Sequence, residues 1–284
     1  MMTKTLTQAF ALMFLSTFLV IVGDTGSKLL SDDGFSQLWV AWTRFVIAAV
    51  ILLPFSGLKI SELRGLLDWR IILRAALICG AISSILTSIK TEPMANAFGG
   101  FFISPIVSYI LSWLLLREKI SWQRSILLAI SFLGVLIVVR PGFGMTTGMM
   151  FAVLAGACHG TYLVTTRWLI VTYRPRFLLI SQLIIGAILL SPFATTDIPT
   201  ITASHTGFLM LSALGSAFGN LMMVLTNKTT PASVVAPLIY LQLISATFMG
   251  YMVFAQWPDT LTMVGLTIII CAGLSSLWFA GRGR

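Results

Sequence analysis

The two halves of the chain repeat each other. Lys90-Thr91-Glu92-Pro93-Met94-Ala95 aligns with Lys228-Thr229-Thr230-Pro231-Ala232-Ser233, which sets the offset between the halves at 138 residues. Each half holds five apolar stretches of about 20 residues, the length that crosses a bilayer as a helix. Because five is odd, the second copy must enter the membrane from the opposite face. We therefore predict an inverted repeat, with residues 1–140 as the first five-helix unit and residues 141–284 as the second.

The composition fits a chain that lies almost wholly in the membrane. Hydrophobic residues make up 57% of its 284 residues and charged residues 10%, whereas soluble domains hold about 45 to 50% and about 25%. The sequence predicts an all-α integral membrane protein, with the loop at 56–70 forming a short surface helix. Its ten predicted spans are about 6–27, 36–55, 71–89, 93–116, 121–139, 147–167, 176–193, 206–227, 231–255 and 260–280.

The charges predict how the chain is oriented. Fourteen of the 18 lysines and arginines, Arg74 among them, fall on one side of the predicted spans. Lys28, Lys90 and Arg140 fall on the other side, and Arg44 lies inside a span. By the positive-inside rule, both termini are expected in the cytoplasm. This distribution explains the net charge of +9 without a nucleic-acid surface.

Several chemistries are not favoured by the sequence. It contains no G-x-x-x-x-G-K-[ST] phosphate loop, so ATP-driven pumping has no motif to support it. Cys79, Cys158 and Cys271 lie singly in apolar spans, a pattern that favours neither a disulfide nor a metal site. Two histidines do not supply the nucleophile and base, or the metal cluster, that an intramembrane enzyme needs. We expect no cofactor, no metal and no enzymatic activity, with transport driven by a gradient or by exchange.

Ionisable residues inside spans are the first candidates for function, because a charge in the bilayer must be paired or used. Asp24 and Lys28 are four residues apart on span 1, the spacing and order of a helical ion pair. Arg44 lies near the middle of span 2 and leans toward that helix's N-terminus, so it could reach Asp24. Two interpretations stay open: a structural charge cluster that joins spans 1 and 2, or coupling to a proton or to the substrate.

His159 is the strongest polar candidate for substrate binding. It lies near the middle of span 6, with Tyr162 one turn further on. A lone intramembrane histidine either packs with a hydrogen bond or binds a substrate or a proton, since imidazole titrates in the physiological range. If transport uses protons, Asp24 and His159 are the expected carriers.

Helix breakers at matching places in the two halves indicate where the site lies. Gly99 corresponds to Pro237, and Pro105 adds a second break in span 4. We expect a midplane pocket lined by spans 1, 3, 4, 6, 8 and 9, with spans 5 and 10 at the periphery. The substrate-binding candidates are His159, Tyr162, Asn96, Phe101, Ser104, Tyr240, Gln242, Ser84 and Asn220.

Motifs in both halves resemble one transporter family. The second half reads Pro-Ala-Ser-Val-Val-Ala-Pro-Leu-Ile-Tyr-Leu-Gln-Leu from Pro231 to Leu243, followed by Gly250, Phe254, Trp257-Pro258-Asp259 and Gly265. The first half carries Trp42-Thr43-Arg44-Phe45 with Ala48, then Pro105, Arg117-Glu118-Lys119-Ile120 and Gly134. Together they resemble the EamA repeats of the drug/metabolite transporter superfamily over nearly the whole chain.

The resemblance implies a secondary transporter in a bacterial inner membrane that moves a small organic solute by alternating access. Export of amino acids or related compounds is the first expectation. Import of a vitamin or nucleoside-like metabolite, such as riboflavin or S-adenosylmethionine, is the alternative, and a membrane assembly factor without transport is a third. The expected partners are the solute and membrane lipid, with proton coupling or exchange. Monomer and dimer are both left open.

Overall fold

The computed structural model describes residues 2–117, 122–140, 145–194, 200–229 and 238–282, and they form a bundle of helices. Gly57 ends the second helix in the left-handed conformation, with φ +56°. A 3-10 helix, Ile60–Leu67, follows in the predicted surface loop. The α-helices are α1 Met2–Asp32, α2 Gln37–Ser56, α3 Trp69–Thr91, α4 Met94–Phe101, α5 Ile103–Leu116, α6 Trp122–Val139, α7 Thr147–Leu169, α8 Pro175–Ala194, α9 Ala203–Thr229, α10 Leu241–Phe254 and α11 Thr260–Arg282.

The predicted fold class is confirmed. Within the described residues, seven helical segments are long and apolar enough to cross a membrane, α4 and α5 counting together as one. Three shorter apolar segments, Ser125–Val139, Leu241–Phe254 and Thr260–Gly273, correspond to spans 5, 9 and 10. The predicted break between the halves at 141–144, the helix breaker Pro237 and the motif residues Glu118, Lys119 and Ile120 lie outside the described residues.

The two halves pack against each other in a pattern with internal symmetry. α1 lies along α9, the third span of the second half, and α3 lies along α7, the first span of the second half. α2 packs on α8 and α6 packs on α11, and each of these pairs joins equivalent spans. Every one of these contacts therefore has a counterpart in the other half or is its own counterpart. This is the arrangement expected of an inverted repeat about an axis in the membrane plane.

Glycines allow α1 and α9 to approach closely. A Cβ on Gly215 would lie 2.7 Å from the carbonyl oxygen of Leu19 and 3.0 Å from the backbone nitrogen of Gly23. One turn away, Ser16 Oγ donates a 2.6 Å hydrogen bond to the carbonyl oxygen of Gly219. Small residues of this kind hold membrane helices together, because lipid gives helices no hydrophobic reason to associate.

Span 4 is broken at its centre. α4 ends at Phe101 and α5 begins at Ile103, so the break falls between the predicted breakers Gly99 and Pro105. The offset of 138 carries Phe102 onto Tyr240, which precedes α10, and the two rings pack with centroids 5.2 Å apart. The end of α4 and the turn that precedes α10 thus meet between the halves.

The loop before α3 is held by ion pairs. Arg174 Nε lies 2.6 Å from a Glu62 carboxylate oxygen. Asp68 caps α3 by accepting a 2.9 Å hydrogen bond from the backbone nitrogen of Arg70, and it accepts another of 2.9 Å from the Tyr173 hydroxyl. The Arg70 side chain also bonds to Asp68, and it lowers the pKa of that carboxyl to about 2.

We expect Asp68 to make the stability of this end of the protein depend on acid. Because its pKa is depressed in the fold, its stabilising contribution is complete above its usual pKa of 3.8 and is lost as the pH falls toward 2. Asp68→Asn keeps a capping oxygen but cannot titrate. Its melting temperature in detergent should fall less steeply than that of the wild type between pH 5 and pH 3. Parallel curves would show that the carboxylate contributes nothing.

Candidate functional site

A narrow cavity lies between the α1–α9 pair and the α3–α7 pair, near the middle of these helices. The space open to water within it is about 40 Å³. One water needs roughly 10 to 15 Å³ by this measure, so the cavity has room for a few waters but not for a metabolite. Its lining residues are Val20, Asp24, Arg44, Ile78, Ala81, Ile82, Ile85, Phe98, Phe101, His159, Ser216, Asn220, Met223 and Gln242.

The cavity has a polar wall and an apolar wall. Asp24 of α1, Arg44 of α2 and Asn220 of α9 supply charge and an amide on one side. On the other, α3 supplies four apolar side chains and α4 adds Phe98 and Phe101. Such a site fits a solute with one charged or polar end and one apolar or aromatic end.

Asp24 and Arg44 form a buried ion pair. An Arg44 terminal nitrogen lies 2.6 Å from a carboxylate oxygen of Asp24, and both side chains are 3% exposed. The expectation that Arg44 reaches Asp24 across the helices is therefore met. Arg44 lines the cavity, and its Nε is buried without a hydrogen-bond partner, so one donor of this guanidinium is unused.

Lys28 does not pair with Asp24, contrary to the helical ion pair expected from their spacing. Its ammonium donates instead to the carbonyl oxygen of Ile89 in α3 and lies 5.2 Å from the ring centre of Phe254 in α10. Within the described residues no carboxylate lies within ion-pair distance of Lys28. Lys28 is 3% exposed, so it is a buried residue whose hydrogen bond links α1 to α3. Counting it among the loop cations was therefore wrong.

His159 is held by α5. Its Nδ1 shares a 2.9 Å hydrogen bond with Ser104 Oγ, and its ring lies 4.9 Å from that of Phe101. Ser104 itself is fully buried behind the histidine and does not line the cavity. The pairing leaves one face of the imidazole toward the cavity.

Tyr162 belongs to a second buried cluster, which the sequence did not indicate. Arg74 is fully buried and donates from its three nitrogens to Thr166 Oγ1, the Leu178 carbonyl oxygen and the Tyr162 hydroxyl, each at 2.8 Å. The Tyr162 hydroxyl donates in turn to Gln182 Oε1 at 2.9 Å. Assigning Arg74 to a loop was therefore wrong. Without Arg74 and Lys28, the loop charges still divide 13 to 2.

The two clusters occupy equivalent places in the two halves. The offset of 138 carries Asp24 onto Tyr162 and Arg44 onto Gln182, and in each half these two residues bond to each other. The first half therefore has an ion pair where the second has a neutral hydrogen bond. The charge beside the second pair comes from Arg74 of the first half, which bonds, among the described residues, to neutral groups only.

The remaining predicted residues divide into two groups. Phe101, Asn220 and Gln242 line the cavity. Ser84 and Tyr240 are buried beside it without lining it, and Asn96 is partly exposed. The spans that line the cavity are 1, 3, 4, 6, 8 and 9, as predicted, with Arg44 adding span 2. α6 and α11, the predicted peripheral spans, contribute no lining residue among those described.

The fold defines a helical membrane protein built from two inverted five-helix repeats. The sequence model of the EamA-like transporter family matches the chain twice, at residues 7–140 and 146–277. The chain belongs to that family, and it is a transporter rather than an enzyme.

Among the relatives that bear a functional name are proteins from Rickettsia. The chain is 26% identical over 280 residues to the "S-adenosylmethionine uptake transporter" of Rickettsia prowazekii, with 95% of this chain and 92% of the relative aligned. It is 28% identical over 245 residues to the protein of the same name in Rickettsia bellii, with 83% and 81% aligned. A crystal structure shares the fold at a TM-score of 0.68 and 14% identity, covering 96% of this chain and 98% of the other.

We expect the hydrogen bond of Lys28 to keep its end of the cavity closed. Lys28→Met removes a charged hydrogen bond between α1 and α3. The fraction of protein with an open cavity should then rise about 10-fold or more. The measurement is labelling of a cysteine placed at Gln242 by an aqueous thiol reagent, in a chain without Cys79, Cys158 and Cys271. Lys90→Met removes an exposed cation nearby and should leave the rate unchanged. Equal labelling rates in the Lys28→Met variant and in the chain that keeps Lys28 would contradict the closing role of this hydrogen bond.

Proposed function

We propose that the protein imports S-adenosylmethionine, or a close relative of it, by alternating access. The observation that carries the proposal is the two-sided cavity, with an ion pair on one wall and aromatic rings on the other. S-Adenosylmethionine has a zwitterionic amino-acid end, a sulfonium and an adenine. The Rickettsia relatives, aligned over most of both chains, support the same substrate class.

The two walls suit the two ends of this molecule. Asp24, Arg44 and Asn220 offer partners for charged groups, whereas Phe98 and Phe101 offer ring faces for the adenine. A sulfonium carries a positive charge on a weakly hydrated centre, and aromatic faces attract such cations. His159 and Gln242 lie between and can hydrogen-bond to the ribose or the base.

The small volume of the cavity implies movement. With space for only a few waters, the cavity in this conformation cannot hold a metabolite. The α1–α9 and α3–α7 pairs are the packed units that flank the cavity. We propose that they rock against each other and expose the cavity to one side at a time.

Uptake into liposomes tests the function directly. Proteoliposomes that contain the purified protein should accumulate more radiolabelled S-adenosylmethionine than protein-free liposomes do. If the protein works by exchange, uptake should be faster when unlabelled S-adenosylmethionine is present inside. Unlabelled S-adenosylmethionine outside should compete fully. Failure of any accumulation or exchange, together with no thermal stabilisation by the compound, would refute the proposal.

Orientation and location remain proposals of the same kind. We propose a bacterial inner-membrane protein with both termini in the cytoplasm and with its repeats divided between residues 140 and 141. The loop charges support the orientation. A fluorescent protein that folds only in the cytoplasm, fused after Arg284, should fluoresce. Activity of alkaline phosphatase, an enzyme active only after export, at the same place would reverse the assignment.

Amino-acid export, the first expectation from the resemblance, has no support among the named relatives. The importer alternative is the one their names favour. Asp24 and His159 stay the predicted proton-binding groups of any proton-coupled cycle. An imposed pH gradient across the same liposomes tests that coupling.

A further inference from the structure

Arg44, which lines the cavity together with its partner Asp24, has one hydrogen-bond donor unused. Arg44 gives one terminal nitrogen to Asp24, while its buried Nε has no hydrogen-bond partner. A buried donor left without a partner is unfavourable, and a guanidinium pairs best with a planar carboxylate that it can grip with two parallel N–H groups. The site therefore lacks one hydrogen-bond partner, and a ligand with a carboxylate would supply it.

Charge balance restricts the ligand further. Arg44 and Asp24 together have no net charge, and both side chains are 3% exposed. A lone carboxylate would bury an extra negative charge there, and a lone cation an extra positive one, at a large desolvation cost. A group that carries an ammonium and a carboxylate on the same carbon adds no net charge. An α-amino acid head group is such a group.

We infer that the Arg44–Asp24 pair is the receptor for the α-amino acid head group of the substrate. The substrate carboxylate accepts hydrogen bonds from Arg44, including Nε, and the substrate ammonium donates to Asp24. Asn220, whose side-chain amide donates a 2.9 Å hydrogen bond to the Ser216 carbonyl oxygen, lines the same cavity. This inference rests on the proposed function for the rest of the molecule, but the head group is a separate claim.

The second half shows why this subsite occurs once. At the equivalent position Tyr162 and Gln182 form a neutral hydrogen bond, and neither lines the cavity. Among the described residues, the inverted repeat therefore offers one charged head-group subsite, which sets the direction in which a substrate lies across the cavity.

A series of ligands tests the head group on the wild-type protein. Binding is measured by thermal stabilisation and by competition against radiolabelled S-adenosylmethionine. The compounds are S-adenosylmethionine, its decarboxylated form, its α-carboxamide and 5′-methylthioadenosine. We expect the three that lack a carboxylate to bind at least about 30-fold more weakly, since each leaves the charged donor without its partner. Decarboxylated compound within about 3-fold of S-adenosylmethionine would overturn the inference and leave the proposed uptake intact.

A double variant tests the residues. Asp24→Asn with Arg44→Gln replaces the ion pair by neutral groups and should reduce the preference for the carboxylate to less than about 3-fold. The matched control is Asp259→Asn with Arg140→Gln, which neutralises an exposed pair of the same 2.6 Å length outside the cavity. The control should keep the wild-type preference. A preserved preference in the cavity variant would also overturn the inference, and the wild-type series decides alone if that variant does not fold.

Failure of the proposed function gives a different result. If S-adenosylmethionine neither binds nor is taken up, the same thermal assay is run with the 20 amino acids and their decarboxylated amines. Stabilisation by an amino acid but not by its amine would keep the head-group subsite and change the substrate. Stabilisation by neither would overturn both proposals.

Discussion

Asp24→Asn should leave little folded protein. The change removes the carboxylate that neutralises Arg44, and that guanidinium is 3% exposed in the centre of the bundle. Leaving one member of a buried ion pair uncompensated costs about 3 to 5 kcal/mol, a large share of the stability of most proteins. We expect the yield of monodisperse protein after size-exclusion chromatography to fall about 10-fold or more.

The double variant is the control for this effect. Asp24→Asn with Arg44→Gln resembles the neutral pair that the second half carries at Tyr162 and Gln182, so folding should return. At the surface, Asp259→Asn should change the yield little, since an exposed pair contributes at most about 1 kcal/mol. If the single variant at Asp24 folds as well as the double one, the charge of Arg44 is balanced by something other than Asp24.

Gly215→Val should separate α1 from α9. The new Cβ would lie 2.7 Å from Leu19 O, 3.0 Å from Gly23 N and 3.1 Å from Gly23 Cα. All three are backbone atoms, which cannot turn away as a side chain can. Overpacking of this kind costs about 1 to 3 kcal/mol or more. A chain of this size should then melt about 5 to 10 °C lower in detergent.

The same helix supplies a matched glycine. A Cβ on Gly207 would meet nothing within 4 Å, so Gly207→Val changes helix propensity without crowding. Its melting temperature should stay within about 2 °C of that of the wild type. Equal melting of the two variants would mean that the close approach of α1 and α9 is not needed for stability.

The sequence predicts the architecture well because membrane folding depends on features that a sequence shows. Apolar length gives the spans, and an odd number of spans per repeat gives the inversion. The charges within apolar runs are few, so Asp24 and Arg44 could be matched from the direction in which helical side chains lean. The lining spans follow from the same symmetry, since the helix breaks at Phe102 and Tyr240 fall at equivalent positions.

The partners of individual side chains were harder to predict, because they depend on how each helix is rotated. Lys28 has the spacing of a partner for Asp24, but its side chain turns to the end of α3. Tyr162 lies one turn from His159, yet it bonds to Arg74 and Gln182 outside the cavity. Arg74 could have been suspected, since it lies inside the predicted third span at 71–89. Because Arg74 follows several loop cations in the sequence, it was counted with them.

The first half has an ion pair where the second half has a neutral pair. This difference also affects which conformation the empty carrier prefers. Two identical halves would make the outward-open and inward-open shapes equal in free energy, and an empty carrier would divide its time evenly. In the alternating cycle proposed above, opening toward one face would rearrange Asp24 and Arg44, whereas opening toward the other would rearrange Tyr162 and Gln182. We therefore expect the two shapes to differ in free energy, and the empty protein to be open mainly to one side of the membrane.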